Sequence, residues 1–219
     1  MQKKESPRPW LEAARKVMYK ATLKEAKHRF GTRTPLFNYR WEHVTAVHTL
    51  AMRLARLVGA DLEVVEAAAW LHDVAKEAGR EHPALGAAYA RDFLPTTDFP
   101  SEKIEAVAQV IEEHMGLWRD EPLERLESQV LWDADKLSKL GLTAAFHWLG
   151  MDFAAGEPVT TGDLVAGGRQ PGWQDKTVAS MHTQAARRAA ESRLAAFRAL
   201  WDDLEAELAG DDLHEGNGA

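Results

Sequence analysis

Apolar residues recur at helical spacing along most of the chain, and no segment alternates apolar and polar residues as a half-buried strand would. In the segment 41–58, for example, the apolar positions fall three or four residues apart. Gly59 follows this stripe directly, and glycine is the residue that most often ends a helix. The pattern predicts an all-α fold.

Capping and helix-breaking residues delimit the predicted helices. The segment 62–78 is apolar almost all round, through Val64, Val65 and the run from Ala67 to Leu71, so we expect it at the buried centre of the fold. Sequence signals place the helices at about 6–31, 41–58, 62–78, 83–95, 101–114, 122–141, 143–153 and 174–208.

One helical domain is predicted, because no boundary in the sequence separates two cores. Residues 1–36 are expected to form an N-terminal helix on the core, 37–154 the core itself, and 174–209 a C-terminal helix of the same domain. The segment 155–173 is rich in Gly, Thr and Pro and is predicted to be a long loop. The polar tail 210–219 is expected to be disordered.

Composition narrows the classes of function. The chain of 219 residues is 45% hydrophobic and 28% charged, as in soluble globular proteins. It contains no cysteine, which excludes disulfides, thiolate metal sites and cysteine nucleophiles. Without an apolar N-terminal or membrane-length stretch, we expect a cytoplasmic protein. A net charge of −7 argues against nucleic-acid binding as the main role. The sequence leaves open whether the chain forms a homodimer.

Polar residues that can bind metals interrupt the apolar faces of the predicted helices. A buried carboxylate without a partner costs several kcal/mol, and a divalent cation satisfies carboxylate and imidazole groups together. Mixed nitrogen and oxygen donors suit Mn, Fe, Co or Ni, with Mg as a further option. The residues at these positions are His43, His72, Asp73, His114, Asp133 and Asp135.

Simpler explanations apply to other residues of the same types. A single histidine on an apolar face is more often a hydrogen-bonded core residue than a ligand. For His48, His147, His182 and His214 we expect either this role or simple exposure to solvent. Periodicity does not decide between Asp133 and Asp135, because both have apolar neighbours three or four residues away.

Three segments together resemble the HD-domain metal-dependent phosphohydrolases. Arg40-Trp41-Glu42-His43 is similar to the Arg-x-x-His motif of that family. Leu71-His72-Asp73-Val74-Ala75-Lys76 is similar to its Leu-His-Asp-Ile-Gly-Lys motif, with Ala75 in place of glycine. Ala134-Asp135-Lys136-Leu137 is similar to its closing motif, which places the ligand on Asp135 and leaves Asp133 as a cap or supporting group.

The resemblance implies a set of metal ligands. His43, His72, Asp73 and Asp135 are expected to bind one divalent metal ion. His82 and His114 match further segments found in binuclear relatives, including the HD-type diadenosine tetraphosphatases, and imply a second ion bridged by Asp73. Met115 replaces a histidine of certain binuclear members, so one or two ions per chain remain open.

The resemblance also implies hydrolysis of a phosphate ester or anhydride, with a nucleotide as the expected substrate. The segment 181–193 is similar to the terminal helix of bacterial HD nucleotide pyrophosphohydrolases. Asp73 and Lys76 are the expected catalytic residues, and a metal-activated hydroxide is the expected nucleophile. Arg40, Lys76 and Lys136 are candidates for binding substrate phosphate, and Glu112 and Glu113 for proton transfer. The alternative is a non-catalytic nucleotide-binding or regulatory HD module.

Overall fold

The computed structural model describes residues 8–119, 121–170 and 172–213, and within these ranges it contains helices and no strand. The all-α prediction is confirmed. The α-helices are α1 (Pro9–Phe30), α2 (Tyr39–Val58), α3 (Leu62–Leu71), α4 (His82–Phe93), α5 (Ile104–Glu113), α6 (Leu126–Leu137), α7 (Leu142–Ala155), α8 (Thr161–Gly168), α9 (Trp173–Ala179) and α10 (Gln184–Ala209). None of the described helices is long and apolar enough to cross a membrane.

Helix α3 lies at the centre of the fold, as its sequence predicts. It packs against α1, α2, α5 and α6. Every residue from Val64 to Leu71 is buried, Glu66 included, because neighbouring helices cover more than one face of α3. Asp61 begins the helix by accepting hydrogen bonds from the backbone N–H groups of Glu63 and Val64. A central, well-anchored helix therefore leads directly into His72 and Asp73.

Helix α3 is shorter than the sequence suggested, and the prediction that it continues to residue 78 is wrong. The hydrogen bonds after Leu71 change from α-helical to three-residue turns, with Val74 N–H donating to Leu71 O and Lys76 N–H to Asp73 O. A 3₁₀ helix, Lys76–Glu81, follows. The central helix therefore ends where the chain reaches the predicted ligands.

The predicted long loop 155–173 contains a helix, α8. A capping box begins it: the Thr160 hydroxyl accepts from the Asp163 N–H, while the Asp163 carboxylate accepts from the Thr160 N–H. Helix α8 packs on α10, where Val165 joins Phe197 and Trp201 in a small apolar cluster. The glycines and threonines that suggested a loop are thus accommodated in a short capped helix.

The predicted C-terminal helix 174–208 is interrupted. Helix α9 ends at Ala179, and α10 starts anew after its N-cap Thr183. The interruption has a physical cause, because the Asp133 carboxylate accepts hydrogen bonds from the backbone N–H groups of His182 and Thr183. These donors are consequently unavailable to a continuous helix.

The other helix boundaries differ from the predicted ones by a few residues. Helix α6 begins at Leu126 instead of 122, and a short 3₁₀ turn, Ser101–Lys103, precedes α5. Gly210 caps the end of α10 in the left-handed conformation. The predicted start of the first helix at 6–7 and the tail 214–219, with His214, lie outside the described residues.

Candidate metal centre

Six predicted ligands converge in the interior, and five different parts of the helical core deliver them. His43 lies on α2, His72 and Asp73 directly follow α3, and Asp135 lies on α6. His82 begins α4, and His114 follows α5. All six side chains are buried: His43, His72, Asp73, His82, His114 and Asp135.

The predicted ligands form two adjacent clusters, with Asp73 between them. His43, His72 and Asp135 present ligand atoms within 4.8 Å of one another, and so do Asp73, His82 and His114. Asp73 Oδ2 lies 3.5 Å from His43 Nε2 and 3.6 Å from His72 Nε2. Asp73 Oδ1 lies 3.3 Å from His82 Nε2 and 3.7 Å from His114 Nε2. One carboxylate oxygen therefore faces each cluster.

Backbone carbonyls fix the tautomer of three imidazoles. A carbonyl oxygen only accepts hydrogen bonds, so the Nδ1 atom that contacts it must carry the proton. His72 Nδ1 lies 2.8 Å from the Ala69 carbonyl oxygen. His82 Nδ1 contacts Gly79 O in the same way, and His114 Nδ1 contacts Ile111 O. In a neutral ring the Nε2 atom then keeps its lone pair, which is the state that binds a metal.

Ser138 orients the remaining imidazole. Its hydroxyl donates to the Asp135 carbonyl at 2.7 Å, so it accepts from His43 Nδ1 at 3.1 Å. The His43 Nε2 lone pair consequently points to the first cluster.

Two observations test whether these residues fit a metal. The Nε2 atoms of His43 and His72 are buried without a hydrogen-bond partner, which costs about 1–3 kcal/mol each if nothing else satisfies them. The Nε2 atoms of His82 and His114 lie 3.1 Å apart with both lone pairs on the facing side. Unpartnered Nε2 atoms and facing lone pairs are both unfavourable in the absence of a cation, and both become favourable when a cation binds between them. The buried imidazoles and carboxylates therefore fit divalent metal ions.

Cationic side chains compensate the two carboxylates. Burial alone would raise the pKa of Asp73, but the cations Arg40 and Lys76 outweigh it and hold the pKa well below its ordinary value. Burial likewise opposes the ionisation of Asp135, whose pKa is nevertheless held well below its ordinary value by Lys136 and Lys139. Both groups are therefore ionised at neutral pH.

Burial also keeps His72 and His114 uncharged at neutral pH. It lowers the pKa of His72 to about 3 and moves the pKa of His114 below its ordinary value. Neutral imidazoles and ionised carboxylates are the protonation states that metal coordination requires.

The three predicted phosphate-binding cations occupy different environments. Lys76 is 28% exposed at its side chain, and its ammonium lies 3.0 Å from Asp73 Oδ1. Arg40 is buried and bonds to Asp73. Lys136 is fully buried, donates to His114 O at 3.1 Å and to Asp135, and lies over the Trp132 ring. Burial favours internal roles for Arg40 and Lys136, whereas Lys76 has access to solvent.

Asp133 lies outside both clusters. Its carboxylate accepts hydrogen bonds of 2.8 Å from the N–H groups of His182 and Thr183 and from the Thr183 hydroxyl. These contacts are those of a cap at the start of α10, the role expected for it from the family motif.

The two candidates for proton transfer, Glu112 and Glu113, are exposed on the surface. His48 contacts Glu66, and His182 Nε2 accepts from the Leu123 N–H, so both make internal hydrogen bonds.

Sequence reasoning missed three residues that border the first cluster. Ser138 holds His43, and Tyr39 stacks on the His43 ring with centroids 5.8 Å apart. Lys139 places its ammonium 2.7 Å from Asp135 Oδ1. Lys139 follows Asp135 by four residues near the end of α6, and this spacing was a usable signal. Tyr39 and Ser138 had no comparable signal.

Comparison with known family models identifies the domain that the core segment resembles. The family model described as the HD domain matches residues 40–140, the segment that carries all six predicted ligands. The core segment of this chain therefore matches the HD domain.

Solved HD-type structures resemble the whole fold. A predicted HD-superfamily hydrolase from an uncultured Thermotogales bacterium is 23% identical, with a TM-score of 0.62 over 92% of this chain and 93% of the other. Bacillus subtilis YpgQ, solved in complex with ADP, is 23% identical, with a TM-score of 0.63 over 90% and 98%. An HD-superfamily hydrolase from Bacillus thuringiensis is 22% identical, with a TM-score of 0.60 over 89% and 98%. Comparison with curated proteins finds no match. The HD assignment made from the sequence is confirmed.

Proposed function

We propose that this HD domain is a two-metal phosphohydrolase that acts on nucleotides. The observation that carries the proposal is the position of Asp73, whose two carboxylate oxygens each face a separate group of buried histidines. Two-metal sites of this kind are found in enzymes that cleave phosphoester and phosphoanhydride bonds.

The donor types indicate which metals the clusters would hold. His43, His72, Asp73 and Asp135 would hold the first ion, and Asp73, His82 and His114 the second. Imidazole and carboxylate ligands suit Mn²⁺, Fe²⁺, Co²⁺ or Ni²⁺, while Mg²⁺ favours oxygen ligands. When bound, such ions lower the pKa of a coordinated water and polarise a phosphoryl oxygen.

The side chains of the protein supply charge and position. Lys76 is partly exposed and its ammonium lies 3.0 Å from Asp73 Oδ1, and we propose that it binds the substrate phosphate. Lys139, 24% exposed at its side chain, is a second candidate on the Asp135 side. Arg40 would hold Asp73 ionised and oriented, and Lys136 would do the same for Asp135, because both cations are buried against those carboxylates.

The nucleotide as substrate is supported by the similarity in fold to YpgQ, which was solved with ADP. The test is a hydrolysis screen of the purified protein on nucleoside triphosphates, dinucleoside polyphosphates, nucleoside monophosphates and cyclic nucleotides, with Mn²⁺, Mg²⁺, Co²⁺ or Ni²⁺ added separately. We expect cleavage of at least one nucleotide with a transition metal, and its loss in Asp73→Asn.

Two results would contradict the proposal. Nucleotide binding without turnover under any metal would favour the non-catalytic regulatory alternative. Turnover of phosphates that lack a base, with no turnover of nucleotides, would keep the chemistry and reject the substrate class.

A further inference from the structure

A cleft rich in aromatic side chains opens beside the first metal cluster. It lies between the start of α2, the junction of α6 and α7, and the start of α9. Its volume is about 140 Å³. The lining residues are Tyr39, Leu117, Ser138, Lys139, Ala144, His147, Trp148 and Trp173.

Three lining residues connect the cleft to the ligands. Tyr39 stacks on His43, and the Ser138 hydroxyl contacts His43 Nδ1 at 3.1 Å. The Lys139 ammonium contacts Asp135 at 2.7 Å. A molecule in the cleft would therefore sit one side chain away from the first cluster, with a cation at the boundary between them.

We propose that this cleft binds the aromatic base of the substrate, an inference that rests on the proposed function. Its volume is below the 300–1,000 Å³ typical of pockets for whole drug-sized ligands, so it suits one ring system and leaves the phosphates outside, toward Lys139 and the metal ligands. Tyrosine, tryptophan and histidine are the side chains on which bases stack, largely without regard to base identity.

His147 supplies a polar group for the edge of the base. Its ring meets Tyr39 edge-on, with centroids 5.5 Å apart, and is only partly buried. In the part of the chain that the structure describes, its ring nitrogens make no hydrogen bond, so they are free to bond a ligand. Apart from Ser138 and Lys139, which contact His43 and Asp135, the remaining walls are apolar or aromatic, and this favours a flat heterocycle over a sugar phosphate or an aliphatic phosphate.

The test compares a substrate that has a base with one that lacks it. The ratio of kcat/KM for ATP to that for inorganic tripolyphosphate is measured with the Mn²⁺-loaded protein. Loss of one stacking ring in Trp148→Ala or Trp173→Ala should lower this ratio by about 5- to 150-fold. Trp148→Phe should restore most of it, because it keeps a ring.

Phe146→Ala is the matched control, because Phe146 is also an aromatic residue of α7 but is 65% exposed and outside the cleft. In Phe146→Ala the ratio of kcat/KM for ATP to that for tripolyphosphate should stay at the wild-type value. Thermal unfolding followed by circular dichroism shows whether each variant is folded. If one of the two tryptophan variants does not fold, the other one is used for the comparison.

The inference is overturned if the tryptophan variants lower both activities equally or leave the ratio unchanged. If the wild type hydrolyses neither substrate, the cleft is tested instead by ADP binding in titration calorimetry, while the hydrolysis screen above decides the proposed function separately. Weaker ADP binding in Trp148→Ala, but not in Phe146→Ala, would then support the cleft, whereas equal binding would reject it.

Discussion

The Nε2 atoms of His82 and His114 lie 3.1 Å apart, although each ring already donates its Nδ1 proton to a backbone carbonyl. Two neutral rings held this way bring their lone pairs together, and no hydrogen bond can form between them. Lys76 approaches His82 Nε2 at 3.1 Å and offers only one of the two rings a donor. A cation shared with Asp73 would satisfy both.

We therefore expect two metal ions per chain. Protein purified in the presence of Mn²⁺ should contain close to two ions by elemental analysis, and His82→Ala/His114→Ala should contain one. His28→Ala, at an exposed histidine of α1, is the control and should keep both. An equal content of one ion in the wild type and the double variant, with activity unchanged, would show that His82 and His114 are structural.

Substitutions of the neighbouring residues Asp133 and Asp135 should have different effects. We expect the first to lower stability and the second to lower metal content. Asp133→Asn replaces a carboxylate that accepts three hydrogen bonds, two of them from backbone N–H groups, and should lower the free energy of unfolding by about 2–4 kcal/mol. Its metal content should not change. Asp135→Asn should lose the ion of the first cluster, because Asp135 Oδ1 lies 3.2 Å from His43 Nε2.

Urea denaturation and elemental analysis of the two variants measure both effects. Loss of metal from Asp133→Asn, together with full metal content in Asp135→Asn, would reverse the assignment.

This pair also shows where sequence reasoning reached its limit. Both carboxylates are buried, at 0% and 3% exposure, so periodicity had no basis on which to choose between them. The run 67–71 before His72, by contrast, was informative, because an apolar helix that ends in two polar residues must satisfy them internally. The cleft depends on how α7 and α9 pack near α2, which local pattern does not encode. The motif was enough to select the candidate ligands that the fold brings together, whereas the residues around them could be found only from the fold.

The metal-free protein should lose stability in acid. Burial lowers the pKa of His72 to about 3 in the folded state, against about 6.5 when unfolded. Between these values the unfolded chain binds more protons, so the stabilisation is complete above about pH 6.5 and declines as the pH falls. From pH 7 to pH 5 the free energy of unfolding should drop by about 2 kcal/mol from His72 alone. The pKa of His114 is lowered too, which adds a change of the same sign.

Urea denaturation of chelator-treated protein at several pH values measures this slope. His72→Gln should flatten it, whereas His28→Gln, at an exposed position, should not. A slope that is identical in the wild type and in His72→Gln would contradict the assignment of the acid sensitivity to this buried imidazole.

Gly167 and Gly168, adjacent at the end of α8, should respond in opposite ways to alanine. A Cβ atom at Gly168 would overlap the indole ring of Trp201, which is only 5% exposed on α10 and has little room to move. A Cβ atom at Gly167 would meet nothing within 4 Å. Gly167→Ala should therefore raise the free energy of unfolding by about 0.5–1 kcal/mol through helix propensity, and Gly168→Ala should lower it by about 1–3 kcal/mol through overpacking. Because the segment 155–173 was predicted to be a loop, this pair also tests α8 itself. In a loop that does not pack on Trp201, the two substitutions would have similar effects, and equal changes in urea denaturation would contradict the helix and its packing.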